Sequence, residues 1–265
     1  MSDFLTPLPR VVAHRGDSIN YPENTLDAFI SAAKMNIDVI ETDVHLTKDK
    51  ELVIWHDPTL ERNTDGKGTL ESHTLSELKA LDAGYTFTKD GGKTFPFRGK
   101  GVKLCTLDEA LKACPDSRFN IDLKSQESDI VDIFIKVIRE NKAEHRVCGA
   151  SFHLKNLKKL RRLAPEIQTS VTTLEVLPLL IREKLNILPK SFKRILVFQV
   201  PVAQWHIHVI TKHFIERMHK RGAVIMVWTI NDEDDMRKLF SLGVDTIMTD
   251  NPSLVIKVAK EMGIR

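Results

Sequence analysis

Short apolar runs and helical patterns of apolar residues alternate along most of this chain. The apolar runs predict strands at residues 10–14, 39–47, 51–56, 118–124, 147–152, 168–171, 195–200, 224–229 and 246–248. Apolar positions at helical spacing predict helices at residues 26–37, 106–113, 130–141, 154–164, within 173–190, at 207–221 and 232–242, and from 250 onward. Such alternation is typical of an α/β protein with a parallel sheet.

One pair of predicted strands, 39–47 and 51–56, has no helix between its members. Parallel neighbours need a crossover of about a dozen residues, so this pair is predicted to be an antiparallel hairpin. If 51–56 is the returning arm of an excursion above the rim, eight strand–helix units remain, which is the (β/α)8 TIM barrel. The alternative is that 51–56 is a barrel strand reached by an extended connection. Both arrangements place the hairpin at the mouth of the barrel.

The hairpin carries polar groups where apolar ones would be expected. A two-residue turn at 48–49 would set Glu41 opposite His56. Side chains at i and i+2 share one face of a strand, so Glu41 and Asp43 are predicted to point the same way. Carboxylates in such an apolar setting need a partner.

Residues 58–104 interrupt the alternation with turn signals and no strong periodicity. A loop of this length inside a barrel is usually functional. We therefore predict a single barrel domain over residues 1–265, with an insertion at about 58–104 that covers one end of the fold.

Composition narrows the classes of partner. Apolar residues make up 42% of the 265 residues, aromatic residues 6%, and the net charge is +3, which gives no reason to expect nucleic acid binding. Three cysteines without a CxxC pair favour a reduced compartment. No run approaches the roughly 18 to 20 apolar residues of a membrane span, and no signal peptide is evident, so we expect a cytoplasmic protein without stable membrane insertion. Oligomeric state is not predicted.

Active sites in such barrels lie at the carboxyl ends of the strands. The polar residues predicted there are His14, Arg15, Glu41, Asp43, His56, Asp122, Lys124, Trp228 and Asn231. Three carboxylates on adjacent strands suit a hard divalent cation, Mg²⁺ or Ca²⁺, better than zinc, which would recruit the histidines. Two cations make an anion site, and two histidines can serve as general base and general acid. This set is suited to cleaving a phosphodiester.

Several of these residues fall in short motifs spread over nearly the whole chain. They are His14-Arg15-Gly16, Pro22-Glu23-Asn24-Thr25, Glu41-Thr42-Asp43-Val44, Val53-Ile54-Trp55-His56-Asp57, Asn120-Ile121-Asp122-Leu123-Lys124, Ser151-Phe152, Val227-Trp228-Thr229-Ile230-Asn231 and Thr249-Asp250-Asn251-Pro252. In this combination and order the chain resembles the glycerophosphodiester phosphodiesterase family. The resemblance implies a phospholipase-C-like phosphodiesterase barrel that hydrolyses glycerophosphodiesters, such as glycerophosphocholine and glycerophosphoethanolamine, to sn-glycerol 3-phosphate and an alcohol with one divalent metal ion.

The resemblance also implies roles for individual residues. Glu41, Asp43 and Asp122 would be the metal ligands, and His14 and His56 the acid–base pair. The phosphate would be held by Arg15 and Lys124, and Trp228 would pack on the glycerol or head group. The third carboxylate is often Glu in the family, so Asp122 is a departure that could change the metal geometry or preference. As a hypothesis, His14 accepts a proton from the attacking hydroxyl and His56 protonates the leaving alcohol, although the two roles could be reversed.

Other polar residues have simpler interpretations. The histidines His206, His208, His213 and His219 are predicted to lie on a solvated basic face without carboxylate partners, and His45 and His73 to be exposed. Glu23 and Asn24 are interpreted as loop-ordering and capping residues, and Asp250 as a helix start before a site residue. Trp228 could equally belong to the core.

Four alternative functions remain at this point. One is a lyase on the same barrel, like sphingomyelinase D, and another is a lysophospholipase D in which Phe87, Phe95 and Phe97 shelter an acyl chain. A Schiff-base enzyme using Lys124 is disfavoured because acidic neighbours keep the amine protonated. A non-catalytic phosphate-binding barrel does not need both histidines and three carboxylates.

Overall fold

Eight parallel strands form the central wall of the protein, which we describe from a computed structural model of residues 3–127, 129–185, 187–192, 196–204, 207–208 and 210–265. The strands of the described residues are Val11–Ala13 (β1), Val39–Leu46 (β2), Leu52–Ile54 (β3), Arg118–Leu123 (β4), Val147–Ala150 (β5), Gln168–Thr169 (β6), Val197–Val200 (β7), Ala203–Gln204 (β8), Ile207–His208 (β9), Val224–Val227 (β10) and Thr246–Thr249 (β11). The eight parallel strands follow one another in the sheet in the order β6-β5-β4-β2-β1-β11-β10-β7. A parallel bridge between Ser170 and Val197 brings the two ends of this sheet together. The predicted (β/α)8 barrel is confirmed.

Helices surround this wall. Those of the described residues are Leu26–Lys34 (α1), Leu75–Ala80 (α2), Leu107–Ala113 (α3), Ile130–Glu140 (α4), Leu154–Leu163 (α5), Thr173–Lys184 (α6), Lys212–His219 (α7), Glu233–Leu242 (α8) and Pro252–Glu261 (α9). Threonine side chains cap several of them; Thr106 and Thr172 form capping boxes with the glutamate three residues later. None of the described helices has the length and apolar character needed to cross a bilayer.

The barrel has an apolar floor and a polar mouth. Val12, Val39, Val197 and Met248 share one buried cluster inside the barrel, while the face of the strands toward the helices belongs to a larger core. Along β2 the inward positions change from apolar Val39 to acidic residues nearer the mouth. All three cysteines are buried, as expected for thiols that act as small apolar residues.

The hairpin of β2 and β3 differs from its predicted register by one residue. Val44 pairs with Ile54, and Thr47 N–H donates to the Glu51 carbonyl at 3.0 Å. The turn therefore has three residues, the last of which, Lys50, has a left-handed φ of 66°. A three-residue loop that ends in a left-handed residue is one of the common hairpin connections. The predicted pairing of Glu41 with His56 is wrong for this reason.

β3 is the returning arm of an excursion and not a wall strand. It pairs antiparallel with β2 outside the path of eight strands. Its Ile54 N–H donates to the Cys105 carbonyl at 2.8 Å, and Val53 bridges to Thr106. The two ends of residues 58–104 are thereby held side by side.

Residues 58–104 contain more order than their sequence suggested. Helix α2, which the turn-rich composition did not predict, begins with a capping box between Thr74 and Glu77. The apolar side chains Leu60, Leu70 and Leu78 are buried together against Trp55 of the hairpin end. This segment thus has a small core of its own on the hairpin.

Two predicted helix limits were wrong. Residues 203–208 form a short antiparallel ribbon, with Ala203 opposite His208, so the helix predicted from 207 begins only at Lys212 after the cap of Thr211. Helix α1 is capped by Thr25 and not by Asn24, because Asn24 adopts a left-handed φ of 58°. The predicted residues Ile195 and His206 lie outside the described residues.

Candidate active site

Three carboxylates meet at the carboxyl ends of β2 and β4. The register of these strands sets Asp43 directly beside Asp122, and Glu41 lies one inward position deeper on β2. All three are buried. The hairpin carries His56 to the same end of the barrel, and β1 leads into His14 and Arg15.

Lys124 supplies the cation closest to this cluster. Its Nζ lies 2.9 Å from Asp43 Oδ1 and 2.7 Å from Asp122 Oδ2. Burial would raise the pKa of Asp43, but the charges of Lys124 and Arg15 outweigh burial and lower it. Burial likewise opposes the charged form of Lys124, yet the two carboxylates raise the pKa of its ammonium. Asp43 and Lys124 are therefore an ion pair.

The negative charge of Glu41 is less fully balanced by nearby cations than that of Asp43. Burial, together with the neighbouring charge of Asp43, raises the pKa of Glu41 to about 7. Its Oε2 accepts the Arg15 backbone N–H at 3.1 Å and lies 3.9 Å from His14 Nε2. This carboxylate is held in place while its negative charge is only partly balanced.

The donor set fits a hard cation. Asp122 Oδ1 is buried and accepts no hydrogen bond from the described residues, and burial raises the pKa of this carboxyl group although Lys124 opposes the shift. Carboxylate oxygens are the ligands that Mg²⁺ and Ca²⁺ prefer. Within the described part of the chain no three His, Cys, Asp or Glu side chains already lie at metal-binding distances. Here the Lys124 ammonium bridges Asp43 and Asp122.

Arg15 enters the cluster through a strained turn. It has a left-handed φ of 56°, and the next residue, Gly16, has φ 82°. A Cβ on Gly16 would lie 2.8 Å from the backbone of Ala28, so only glycine allows this approach to α1. Arg15 Nη1 donates to Glu23 Oε1 at 2.9 Å, and its Nε lies buried 3.6 Å from Asp43 Oδ2 without a hydrogen bond from the described residues.

Each of the two predicted catalytic histidines has its own carboxylate. His14 Nδ1 donates to Asp250 Oδ1 at 2.7 Å. Burial lowers the pKa of His14, but Asp250 and Glu41 outweigh burial and raise it. Asn231 Nδ2 in turn donates to Asp250 Oδ2 at 2.7 Å, which fixes the carboxylate. Asp250, which we interpreted from the sequence as the start of a helix, therefore also belongs to the candidate site.

His56 donates from Nδ1 to Asp57 Oδ1 at 2.6 Å. Burial, opposed by nearby carboxylates, lowers the pKa of His56. Arg62 contacts both oxygens of Asp57 and both of Glu23, with Nη2 2.6 Å from Glu23 Oε1. His56 is therefore connected to Arg15 by a series of side chains of alternating charge, namely Asp57, Arg62 and Glu23.

Sequence reasoning missed Arg62 and the contacts of Asn24. The carboxamide of Asn24 donates to Asp43 Oδ2 at 3.1 Å and accepts the Thr42 hydroxyl at 2.8 Å. The motif 22–25 signalled a loop, but its inward contact depends on the left-handed backbone. No local pattern marks Arg62, because its partners lie 5 and 39 positions away in the sequence.

Trp228 lies half-buried at the end of β10, where it packs against the apolar cluster inside the barrel. Trp228 therefore has the core packing that the alternative interpretation expects, and it follows the last residue of β10 at the carboxyl end of that strand. Phe152 is exposed beside the site, with the Lys124 ammonium 5.6 Å from its ring centroid.

Several predictions for other histidines were wrong. His45 is buried and not exposed, because its Nε2 lies 3.2 Å from the His56 carbonyl under residues 58–104. His213 and His219 were expected to lack carboxylate partners, but they lie 3.4 Å from Glu183 and 2.7 Å from Asp245. These partners come from other elements. His73 is half-buried and bonds to the Thr69 carbonyl.

Comparisons with known proteins agree with this fold. Residues 14–254 match the glycerophosphoryl diester phosphodiesterase family. A glycerophosphodiester phosphodiesterase from Caldanaerobacter subterraneus subsp. tengcongensis is 34% identical, covering 96% of this chain and 98% of its own. A lysophospholipase D from Mus musculus is 25% identical over 93% of this chain and 84% of its own. The solved structure of an Oleispira antarctica phosphodiesterase with the product sn-glycerol-3-phosphate has a TM-score of 0.76 and 26% identity, covering 96% of this chain and 98% of that one.

From these matches we conclude that the protein is an enzyme, a phosphoric diester hydrolase with a (β/α)8 barrel fold. It belongs to the glycerophosphoryl diester phosphodiesterase family, and the membership expected from the motifs is confirmed.

Proposed function

We propose that this enzyme hydrolyses small glycerophosphodiesters, such as glycerophosphocholine and glycerophosphoethanolamine, to sn-glycerol 3-phosphate and an alcohol. The observation that carries the proposal is the pair of carboxylate-backed histidines beside a buried cluster of three carboxylates and two cations. The product named for the Oleispira antarctica phosphodiesterase supports the same substrate class.

Arg15 and Lys124 bind and orient the phosphate. Both cations lie among the carboxylates at the mouth, so an incoming phosphodiester finds fixed positive charge there. Fixed donors are most valuable where charge builds up in the transition state. Trp228, half-buried at the rim, packs on the glycerol or the head group.

His14 and His56 carry out the proton transfers. One accepts a proton from the attacking hydroxyl, and the other donates a proton to the leaving alcohol; each transfer contributes roughly 10²–10⁴ in rate. Asp250 and Asp57 hold the two rings by Nδ1, so that each Nε2 is left for the substrate. Because each ring carries out its own proton transfer, each needs its own carboxylate to hold it in place.

Glu41, Asp43 and Asp122 would hold one divalent cation, Mg²⁺ or Ca²⁺. When bound, this ion supplies positive charge to the phosphate oxygens. Asp122 Oδ1, which has no hydrogen-bond partner among the described residues, and the raised pKa of Glu41 support this assignment, since both indicate negative charge that the protein leaves partly unbalanced. Asp122 in place of the family's frequent Glu keeps the same ligand chemistry on a shorter side chain.

A second candidate is lysophospholipase D activity. Tyr21 and Phe87 both pack on Phe97, with ring centroids 5.7 and 5.2 Å away, and form an aromatic cluster in which an acyl chain could lie. Thr86, next to Phe87 in the sequence, connects this cluster to the segment that carries Arg62, since its hydroxyl donates to the Arg62 carbonyl at 2.7 Å. The relative from Mus musculus carries this activity in its name.

The test is a divalent-metal-dependent assay with glycerophosphocholine, glycerophosphoethanolamine and lysophosphatidylcholine, with products identified by phosphorus NMR. We expect sn-glycerol 3-phosphate from the first two and much slower release of choline from the third. A cyclic phosphate product would instead indicate the lyase chemistry of the sphingomyelinase D type.

Histidine variants test the mechanism. His14→Ala and His56→Ala should each lower kcat by about 10²–10⁴ while the proteins stay folded. His213→Ala, with a side chain 71% exposed, is the matched control and should keep wild-type activity. Near-normal turnover in either of the first two variants contradicts the assignment.

A further inference from the structure

An exposed apolar stripe runs along helix α6. Leu174, Leu177 and Ile181 of α6, with Leu185 at its C-cap, recur at spacings of three and four residues and therefore share one helix face. With Ile187 just beyond the helix, their exposed fractions are 52–64%. We call these five residues the α6 stripe.

The α6 stripe is not the face that packs on the barrel. Val176 is buried in the core on the other side of α6, and Leu179 and Leu180 pack against the same core. Apolar residues therefore lie on two faces of α6, one packed on the barrel and one exposed. Nine large apolar side chains are exposed in the described part of the chain, and five of them form this stripe. Concentration in one patch, unlike scattered exposure, marks an interaction surface.

The surroundings of the stripe are strongly basic. Residues 155–221 contain fourteen Lys and Arg but four Asp and Glu, whereas the remainder of the chain contains twenty-five and thirty-two. Helix α5, which precedes the stripe, has five Lys and Arg and no acidic residue. The small net charge of the whole chain is therefore the sum of a basic segment, residues 155–221, and an acidic remainder.

The acidic groups of α6 are already neutralised. Glu175 Oε1 lies 2.6 Å from Arg161 Nη1 of α5, and Glu183 Oε1 lies 3.6 Å from Arg217 Nε of α7. By contrast, Lys158 and Arg162 of α5 are exposed and have no carboxylate partner among the described residues. Arg182 within α6 is likewise exposed without such a partner. The charge left around the stripe is positive.

We propose that the α6 stripe and the basic side chains of α5 dock this enzyme on an anionic lipid surface. Exposed apolar side chains with Lys and Arg beside them suit the interface of an anionic membrane, because the apolar groups enter the lipid boundary while the cations stay at the head groups. Each cation close to an anionic leaflet strengthens binding by about fivefold. A second copy of the chain fits less well, because a symmetric contact would bring two basic rims together.

The stripe begins at the rim of the active-site mouth. Strands β5 and β6 are neighbours, and α6 starts a few residues after β6, so Leu174 lies at the mouth end of its helix. The exposed ring of Phe152 follows β5 at the same end, beside Lys124. Docking through this side of the barrel sets the mouth against the edge of the lipid surface.

Vesicle sedimentation with the full chain tests the proposal without using activity. Phosphatidylcholine vesicles with and without phosphatidylglycerol provide matched anionic and neutral surfaces. We expect binding to the anionic vesicles alone, weakened by salt because exposed charges are screened. The double variants Leu177→Glu/Ile181→Glu and Lys158→Glu/Arg162→Glu should each reduce binding by about tenfold or more.

Two control variants carry the same kinds of change elsewhere. Tyr85→Ser removes an exposed aromatic ring in residues 58–104, and Lys136→Glu reverses an exposed charge on α4; both should bind like wild type. Circular dichroism melts check that every variant is folded. The proposal is overturned if wild type binds neither vesicle, if the double variants bind like wild type, or if sedimentation velocity finds self-association that Leu177→Glu/Ile181→Glu abolishes.

Discussion

The imidazole of His14 and the carboxylate of Asp250 are joined by a hydrogen bond of 2.7 Å between residues 236 positions apart. It links the ends of the first and last barrel strands. Asp250 is also held by Asn231, so the ring orientation of His14 depends on two loops that the closing of the barrel brings together.

The first prediction concerns Asp250 as a positioning residue. Asp250→Asn should lower kcat by about tenfold to a hundredfold, less than the roughly 10²–10⁴ expected for loss of a histidine itself, because the ring remains but is misoriented. KM should change little, since within the described part of the chain the Asp250 carboxylate is hydrogen-bonded to His14, Ser18 and Asn231 and not to Arg15 or Lys124. Steady-state kinetics of Asp250→Asn and His14→Ala check this ranking.

Matched controls separate orientation from folding. Asn251→Ala removes the neighbouring cap of α9, which contacts Leu254 and not the site. It should cost about 1 kcal/mol of stability with little change in kcat. Equal kcat losses in Asp250→Asn and Asn251→Ala would show that Asp250 acts only through stability.

The second prediction concerns Arg62, which joins Asp57 to Glu23. Burial opposes the shift, but Arg62 and His56 lower the pKa of Asp57 to about 2. A carboxylate whose pKa is lower in the folded state stabilises it above the unfolded pKa, and this stability is lost as the pH falls through the folded value. Arg62→Ala should therefore flatten the loss of stability between about pH 4 and pH 2.

Urea unfolding at pH 6 and near pH 3 measures this slope. At pH 6 the variant should lose about 1 kcal/mol or less, because Arg62 is nearly half exposed. Arg98→Ala removes an exposed arginine in the same segment, stacked on Tyr85, and should keep the wild-type slope. An unchanged slope in Arg62→Ala would contradict the ion-pair chain.

The third prediction concerns Asn24 and separates its backbone from its side chain. Asn24→Gly keeps the left-handed φ but leaves the Asp43 oxygen and the Thr42 hydroxyl without their partner, at a cost of about 1–3 kcal/mol. Asn24→Ala should cost about 1 kcal/mol more, because alanine disfavours φ 58°. Equilibrium unfolding measures both; equal losses would mean that the backbone conformation is not strained.

The fourth prediction concerns metal removal. Chelation should abolish activity, and Mg²⁺ or Ca²⁺ at 100 times its Kd should stabilise the folded protein by about 2.7 kcal/mol. In a thermal melt this raises Tm by about 5 °C or more. Glu41→Gln and Asp122→Asn should lose this increase, whereas Asp250→Asn should keep it, since Asp250 holds a histidine. A metal-induced increase of wild-type size in Asp122→Asn would remove Asp122 from the ligand set.

The sequence predicted the barrel because its signal is repeated: each strand and helix supplies its own period, and the count of eight tolerates errors at individual ends. It also placed Glu41 and Asp43 on one face, which needs only the two-residue period of a strand. The register between β2 and β4 then sets Asp43 beside Asp122, a relation that follows from the parallel order of the wall.

What the sequence did not predict depends on single backbone conformations and on distant partners. One left-handed residue, Lys50, adds a position to the hairpin turn and changes every pairing after it. Asn24 faces inward because of its own φ, and His45 is buried because residues 58–104 fold over it. Arg62 has no local signature, since its role exists only after Asp57 and Glu23 have been brought to the mouth.

The joined ends of residues 58–104 have a consequence for how this enzyme can be altered. Ile54 and Cys105 are hydrogen-bonded to each other, so the two ends of the segment are joined independently of the number of residues between them. Doubling the length of such a loop costs only about 0.6 kcal/mol in closure entropy. We therefore expect residues 58–104 to act as an exchangeable cassette: a different segment grafted between Asp57 and Cys105 should leave the barrel strands, the three carboxylates and His56 in place. Because Arg62 belongs to the cassette, each exchange would also reset the support of His56.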